Sequence, residues 1–139
     1  MGVKTYNPDD VSIIVNGRVM TGLADSMVKI TRNNDSWTTT VDANGGVTRN
    51  YNTDRTGEIE ITLKQSSDDN LFISALAAAD EAGNAPFAIF VKDNNGSSLY
   101  TAETSWVKKW ADAEFAKEIG DRVWTFTVAK LIMVNGGNE

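Results

Sequence analysis

The stretch TGEIEITLKQSSDDNLFISALAAAD, Thr56 to Asp80, sets the terms for reading the whole chain. Its first part, Glu58-Ile59-Glu60-Ile61-Thr62-Leu63-Lys64, alternates strictly between polar and apolar residues. Successive strand side chains point to opposite faces, so this pattern predicts a strand with one wet face and one buried face. Ser66-Ser67-Asp68-Asp69 then offers capping side chains and first-turn acids, after which Leu71, Phe72, Ala75, Leu76 and Ala79 recur at helical spacing. Gly83-Asn84 supplies the stop, with Pro86 beyond it. A half-buried strand leading directly into one amphipathic helix of about four turns is the expectation.

Upstream, Val11 to Val15 is β-rich and Asn16-Gly17 is a strong hairpin signal before Arg18-Val19-Met20. Met27 to Arg32 alternates, and Ser36 to Val41 reads as its partner across an Asn33-Asn34-Asp35 turn. Downstream, Phe87 to Lys92 and Ser98 to Val107 form a second expected hairpin around Asp93-Asn94-Asn95-Gly96. Lys108 to Gly120 is charged and irregular, with room for one helical turn around Asp112 to Lys117, and Arg122 to Val134 reads as a long closing strand. About seven strands and one helix predict a mostly β fold, a β-sandwich or partly open β-barrel with one flanking amphipathic α-helix. The 139 residues suit a single domain, 1–139, interrupted by a long polar loop at about 42–57, DANGGVTRNYNTDRTG.

Composition narrows the chemistry. The chain has no cysteine and no histidine, which removes thiolate nucleophiles, zinc–thiolate sites and the commonest general base. A net charge of −6, with no basic run longer than Lys108-Lys109, argues against stable nucleic-acid binding. No apolar run is long enough for a membrane helix, and the N-terminus, MGVKTYNPDD, lacks a secretory h-region and a myristoylation pattern, so a cytosolic, unlipidated protein is expected. Neither Asp93-Asn94-Asn95-Gly96 nor Asp42-Ala43-Asn44-Gly45-Gly46 has the spacing of a calcium loop; turns are the better reading, and no metal or cofactor site is expected. Glu58 and Glu60 share a strand face about 7 Å apart, a spacing a glycosidase pair can use and any solvated strand also shows. Trp37, Trp106, Trp110 and Trp124 read mainly as core, with Trp110 the likeliest exception; a sugar-stacking platform is the alternative.

Three stretches carry a resemblance: NGRVMTGLADSMVKITR, TGEIEITLKQSSDDNLFISALAAAD and SWVKKWADAEFAKEIGDRVWTFTVAKL. Together they resemble the tail tube protein family of contractile-tailed bacteriophages, which is similar in fold to the haemolysin-coregulated tube proteins. The resemblance implies a structural protein without catalysis, a β-barrel with one flanking helix that forms hexameric rings. The rings would stack into a hollow tube inside a contractile sheath, and DNA would pass through it transiently. It also implies partners: further copies of the chain, the sheath protein, the baseplate hub, the tail terminator and the tape measure protein. The setting would be the virion tail, assembled in the host bacterial cytoplasm. A carbohydrate-binding β-sandwich module, or the tube of a headless bacteriocin or secretion apparatus, stands as the alternative.

A compact domain must reach beyond itself to join rings. Folded as a hairpin, the 42–57 excursion spans about 25 Å, beyond the radius of gyration of about 14 Å expected at this length. Asn44, Gly45, Gly46, Arg49, Asn50, Tyr51, Asn52, Asp54 and Arg55 are accordingly the expected inter-ring contacts. Glu58 and Glu60 are the expected lumen-facing pair, since carboxylates do not grip phosphate. Of the polar terminal arms, Met1 to Asp10 is expected to contact neighbours and Asn135 to Glu139 to fray.

Overall fold

The computed structural model describes residues 2–139; Met1, the first residue of the expected N-terminal contact arm, lies outside the described residues. The strict alternation at the centre of the sequence forms β6 (Gly57–Lys64), which runs straight into α1 (Asp69–Gly83). Before it come β1 (Val11–Val15), β2 (Arg18–Val19), β3 (Leu23–Arg32), β4 (Trp37–Val41) and β5 (Val47–Tyr51). After the helix come β7 (Phe87–Asp93), β8 (Leu99–Lys109), β9 (Asp121–Val128) and β10 (Leu131–Val134). The fold is mostly β with one helix, as expected, and has ten described strands where about seven were expected.

Eight strands form one antiparallel sheet in the order β2-β1-β7-β8-β9-β6-β3, with β10 also paired to β8. Ile13 and Val15, Ile59, Ile61 and Leu63, Ile89 and Val91, and Trp124, Phe126 and Val128 are all buried in a single cluster. One sheet whose successive strands feed one cluster has to curl around it, which is the geometry of a partly open barrel. The opening lies at β3, an edge strand that among the described strands pairs with β6 alone. A register shift between Leu23 and Val28 marks a bulge there, and bulges bend a strand and strengthen its twist.

Local chemistry explains the turns. Asn16 and Gly17 both have positive φ, 49° and 83°, the requirement of the two-residue hairpin that joins β1 to β2. At Gly57 a Cβ would lie 2.5 Å from Leu131 Cδ2 and 2.8 Å from the Thr31 carbonyl oxygen, so glycine lets β3, β6 and β10 converge.

Several expectations are corrected. β4 pairs with β5 as a separate two-stranded sheet, and β3 pairs with β6 instead of with Ser36 to Val41. Ile59 and Ile61 need an apolar neighbour on their own face, which Val28 and Ile30 provide; β4 is exposed along its whole length and has no core face to offer. The closing strand is broken at Ala129-Lys130, where the Ala129 N–H donates to the Thr104 carbonyl and the Leu131 N–H to the Arg55 carbonyl, turning β10 onto β8. No helical turn forms at Asp112 to Lys117. The C-terminal arm is tied down: Gly96 bridges Asn138, and the Glu139 carbonyl accepts from the Thr5 N–H at 2.9 Å.

The helix is rotated from the expected stripe. Ile73 and Ala77 are buried and Phe72 and Leu76 half-buried, while Leu71 is 78% exposed and Ala75 and Ala79 face solvent. Two polar anchors set this rotation. Asp69, expected as a first-turn acid, is fully buried; it accepts from the Thr21 N–H at 2.6 Å and Thr21 Oγ1 at 3.2 Å and pairs with Arg18 Nε at 2.7 Å. Asn70 accepts from the buried Trp124 Nε1 at 3.0 Å and donates to the Lys64 and Ser67 carbonyls. Buried polar groups have to be satisfied, so these partners outrank two exposed alanines in orienting α1.

Candidate functional site

At the end of β6 opposite α1, β4 and β5 form a two-stranded arm that stands clear of the body; both strands are exposed throughout. Its tip is built by Asp42, whose Oδ1 accepts from the Asn44 N–H at 2.9 Å and the Gly46 N–H at 2.7 Å. Gly45 sits between them at φ 83°, a conformation that favours glycine. The turn uses the carboxylate that a calcium loop would need. Val47 to Tyr51, read from the sequence as part of a polar loop, then pairs back on Trp37 to Val41.

The register sorts the arm into two faces. Trp37 opposes Tyr51, Thr39 opposes Arg49 and Val41 opposes Val47 on one; Thr38 opposes Asn50 and Thr40 opposes Thr48 on the other. The first face is apolar with cations laid on its rings. The Arg49 guanidinium lies 4.0 Å over the Trp37 ring, Trp37 and Tyr51 are 4.9 Å apart, and the Arg55 guanidinium lies 4.5 Å over Tyr51. The second face is uncharged and polar, with Asn50 donating to Thr40 Oγ1 at 2.8 Å.

Of the expected contact residues, Asn44, Gly45 and Gly46 are therefore at the tip, Arg49 and Tyr51 on the aromatic face and Asn50 on the polar face. Asn52, Asp54 and Arg55 are spent on the base of the arm. The Asn52 N–H donates to the Ser36 carbonyl at 2.8 Å, Arg55 donates to the Asn52 carbonyl at 2.7 Å, and Asp54 accepts from Asn34 at 2.6 Å and from the Thr56 hydroxyl and N–H. The Thr56 hydroxyl, followed by its backbone N–H, holds the Asp54 carboxyl below the ordinary aspartate range. Sequence reasoning missed Trp37 and the valines as parts of this surface. The signal was present: Val41 and Val47 flank DANGG as a hairpin's last apolar pair flanks its turn.

Glu58 and Glu60 lie on the outer face of β6, with Thr31 and Lys29 opposite on β3 and Thr127 and Thr125 opposite on β9. Lys108 reaches across to pair with Glu58. The two carboxylates, with Lys29 and Thr31, line a depression of about 220 Å³. A wet, threonine-rich face with compensated charge is what surrounds them, and one of the two acids is committed to an ion pair.

The tryptophans separate by role. Trp124 is core, Trp106 half-buried, Trp37 on the arm, and Trp110 exposed with its ring tilted 48° against Trp124 and its Nε1 donating to Glu81 at 2.9 Å. They do not make one flat platform for a sugar ring.

The chain is 27% identical over 146 residues to Structural protein ORF10 of Pseudomonas phage KPP10, a match covering 98% of this chain and 84% of that protein. Among solved structures, a chain of the PVC extracellular contractile injection system sheath–tube complex in its extended state superposes with a TM-score of 0.62 at 10% identity, covering 94% of this chain and 91% of that one. A chain from the anti-feeding prophage tube-terminating cap gives 0.62 at 8% identity over 97% and 95%, and one from the virion of a native gene transfer agent gives 0.63 at 13% over 94% and 100%. At such identities these likenesses establish the fold. The family described as Bacteriophage PhiTE tail tube protein matches residues 10–136, and the chain belongs to that family of structural phage tail tube proteins.

Proposed function

We propose that this chain assembles into rings, six copies to a ring, that stack into a hollow tube within a contractile sheath, with the arm reaching from each ring to the next. The observation that carries the proposal is the arm itself. Each five-residue strand of the arm spans about 17 Å, beyond the radius of gyration of about 14 Å expected at this length. An isolated two-stranded hairpin is only marginally stable in water, so a ribbon with Trp37, Val41, Val47 and Tyr51 exposed gains most from being covered. In a protein of the phage tail tube family, the next ring is the natural cover. Asn44, Gly45, Gly46, Arg49, Asn50 and Tyr51 make the contact, while Asn52, Asp54 and Arg55 hold its base.

Glu58 and Glu60 face the channel in this reading, which passes DNA toward the host. Threonines and paired charges offer phosphates little to exchange for their counterions, so the cargo slides instead of binding. The sheath and a terminator are partners; the fold is shared with chains from a sheath–tube complex and a tube-terminating cap, which supports the reading. The baseplate hub and tape measure protein complete the set, and assembly takes place in the host cytoplasm.

Electron microscopy of the purified protein tests this directly. The intact chain is expected to give tubes of uniform width; a variant with Ser36 to Asn52 replaced by a short Gly-Ser turn is expected to give single rings or monomers with an unchanged melting temperature. Tubes of normal length from that variant would overturn the role of the arm.

A further inference from the structure

We infer that the aromatic face of the arm seats in the open seam of the barrel on a copy in the adjoining ring. This inference rests on the tube reading and names the receptor that reading lacks. The seam is a groove of about 770 Å³ between β3 and the β1, β7, β8 and β10 side of the sheet. It exists because β3, among the described strands, pairs with β6 alone and is bulged between Leu23 and Val28, so the sheet does not close. Val11, Met27, Ile30, Tyr100 and Met133 line it and are half-buried, packed on the core from below and uncovered from above.

Arm and groove match in three respects. The groove is mainly apolar, as is the row Trp37, Val41, Val47 and Tyr51 on the arm. Its volume falls in the range that receives a ligand of a few rings, the size of an indole with a phenol beside it. In charge, Asp25 and Asp93 line the groove against one cation, Lys29, while the arm's aromatic face carries Arg49 and no acid. Docking brings the Arg49 guanidinium, already stacked on Trp37, toward a carboxylate; Arg suits a site that is aromatic on one side and anionic on the other. A chain's own arm does not fill its own groove, since the arm is exposed on both strands and none of its residues lines the cavity.

The absence of native cysteine makes the test clean. Val47→Cys on the arm and Met27→Cys in the groove are combined in one chain, assembled and mildly oxidised. A ladder of covalent multimers on a non-reducing gel is expected from the double variant and not from either single one. Independently, Arg49→Asp is expected to abolish tubes and Arg49→Asp with Asp25→Arg to restore them, circular dichroism showing that each variant folds. Wild-type tubes with no ladder and no charge-swap rescue would overturn the docking and leave the tube reading intact. Wild-type protein that stays monomeric under assembly conditions in the microscope would overturn both.

Discussion

The strand β6 and the two-stranded arm have similar period-2 chemistry and opposite fates. β6 lies between β3 and β9, its Ile59, Ile61 and Leu63 sealed in the core and its Glu58 and Glu60 in water. The arm also alternates, with Trp37, Val41, Val47 and Tyr51 on one side and Thr38, Thr40, Thr48 and Asn50 on the other, yet among the described residues its apolar side is not covered by the core. A strand pattern specifies a face to be covered. Whether the cover comes from the same chain or from another is decided by where the hairpin stands.

The comparison breaks most visibly in a paired substitution. Ile61→Ala removes fully buried methyls from the centre of β6 and is expected to cost about 3 kcal/mol, roughly 10 °C in Tm. Trp37→Ala, the larger side-chain loss, is expected to change monomer stability by less than about 0.5 kcal/mol while suppressing tubes. Chemical denaturation and electron microscopy of both variants read the contrast; a strongly destabilised Trp37→Ala monomer would mean that the arm is part of the folding core after all.

A smaller effect is expected where helix and body meet. Asp69→Ala leaves the Thr21 N–H and Arg18 without their acceptor and should cost about 2 kcal/mol, moderated because Arg18 is half exposed and can turn to water. Loss of the ordered Asp69–Thr21 link would be seen as faster amide exchange at Thr21.

The smallest effect is confined to the base of the arm. The Thr56 hydroxyl and N–H lower the Asp54 carboxyl, so the folded form binds its proton less readily than the unfolded one. Its contribution is complete above the ordinary aspartate value of about 3.9 and is lost as the pH falls through the lower, folded value. Acidification below about pH 4 should therefore lower the amide protection factor at Thr56 and leave that at Ile61 unchanged. Equal responses at both positions would show that arm and body melt as one unit.

Much of this was legible in the chain. Glu58 to Lys64 alternates because it has one dry and one wet face, and Gly83-Asn84 ends the helix with Asn84 in the left-handed conformation at φ 53°. Asn16-Gly17 named its own hairpin. The partners were less legible. Thr38 to Thr40 suit any strand, so nothing local forbade pairing them with β3, and only the need of Ile59 and Ile61 for Val28 and Ile30 settled the matter. The helix misled by composition: Leu71 and the alanines gave a plausible stripe, but Asp69 and Asn70 each had a distant partner, Thr21 and Trp124, that no periodicity reports.

The sequence by itself determined the strands around the core, β1, β3, β6, β7, β8 and β9, where the helix begins and ends, and that catalysis by cysteine or histidine is absent, because these depend on residue type and on neighbours a few positions away. Tertiary structure decided that DANGG is the tip of an arm that begins at Trp37, that β3 is left as an open edge, and that Glu58 is tied to Lys108. Those are relations between residues distant along the chain, selected by which apolar faces can be buried together, and the face left over is the one the arm leaves exposed.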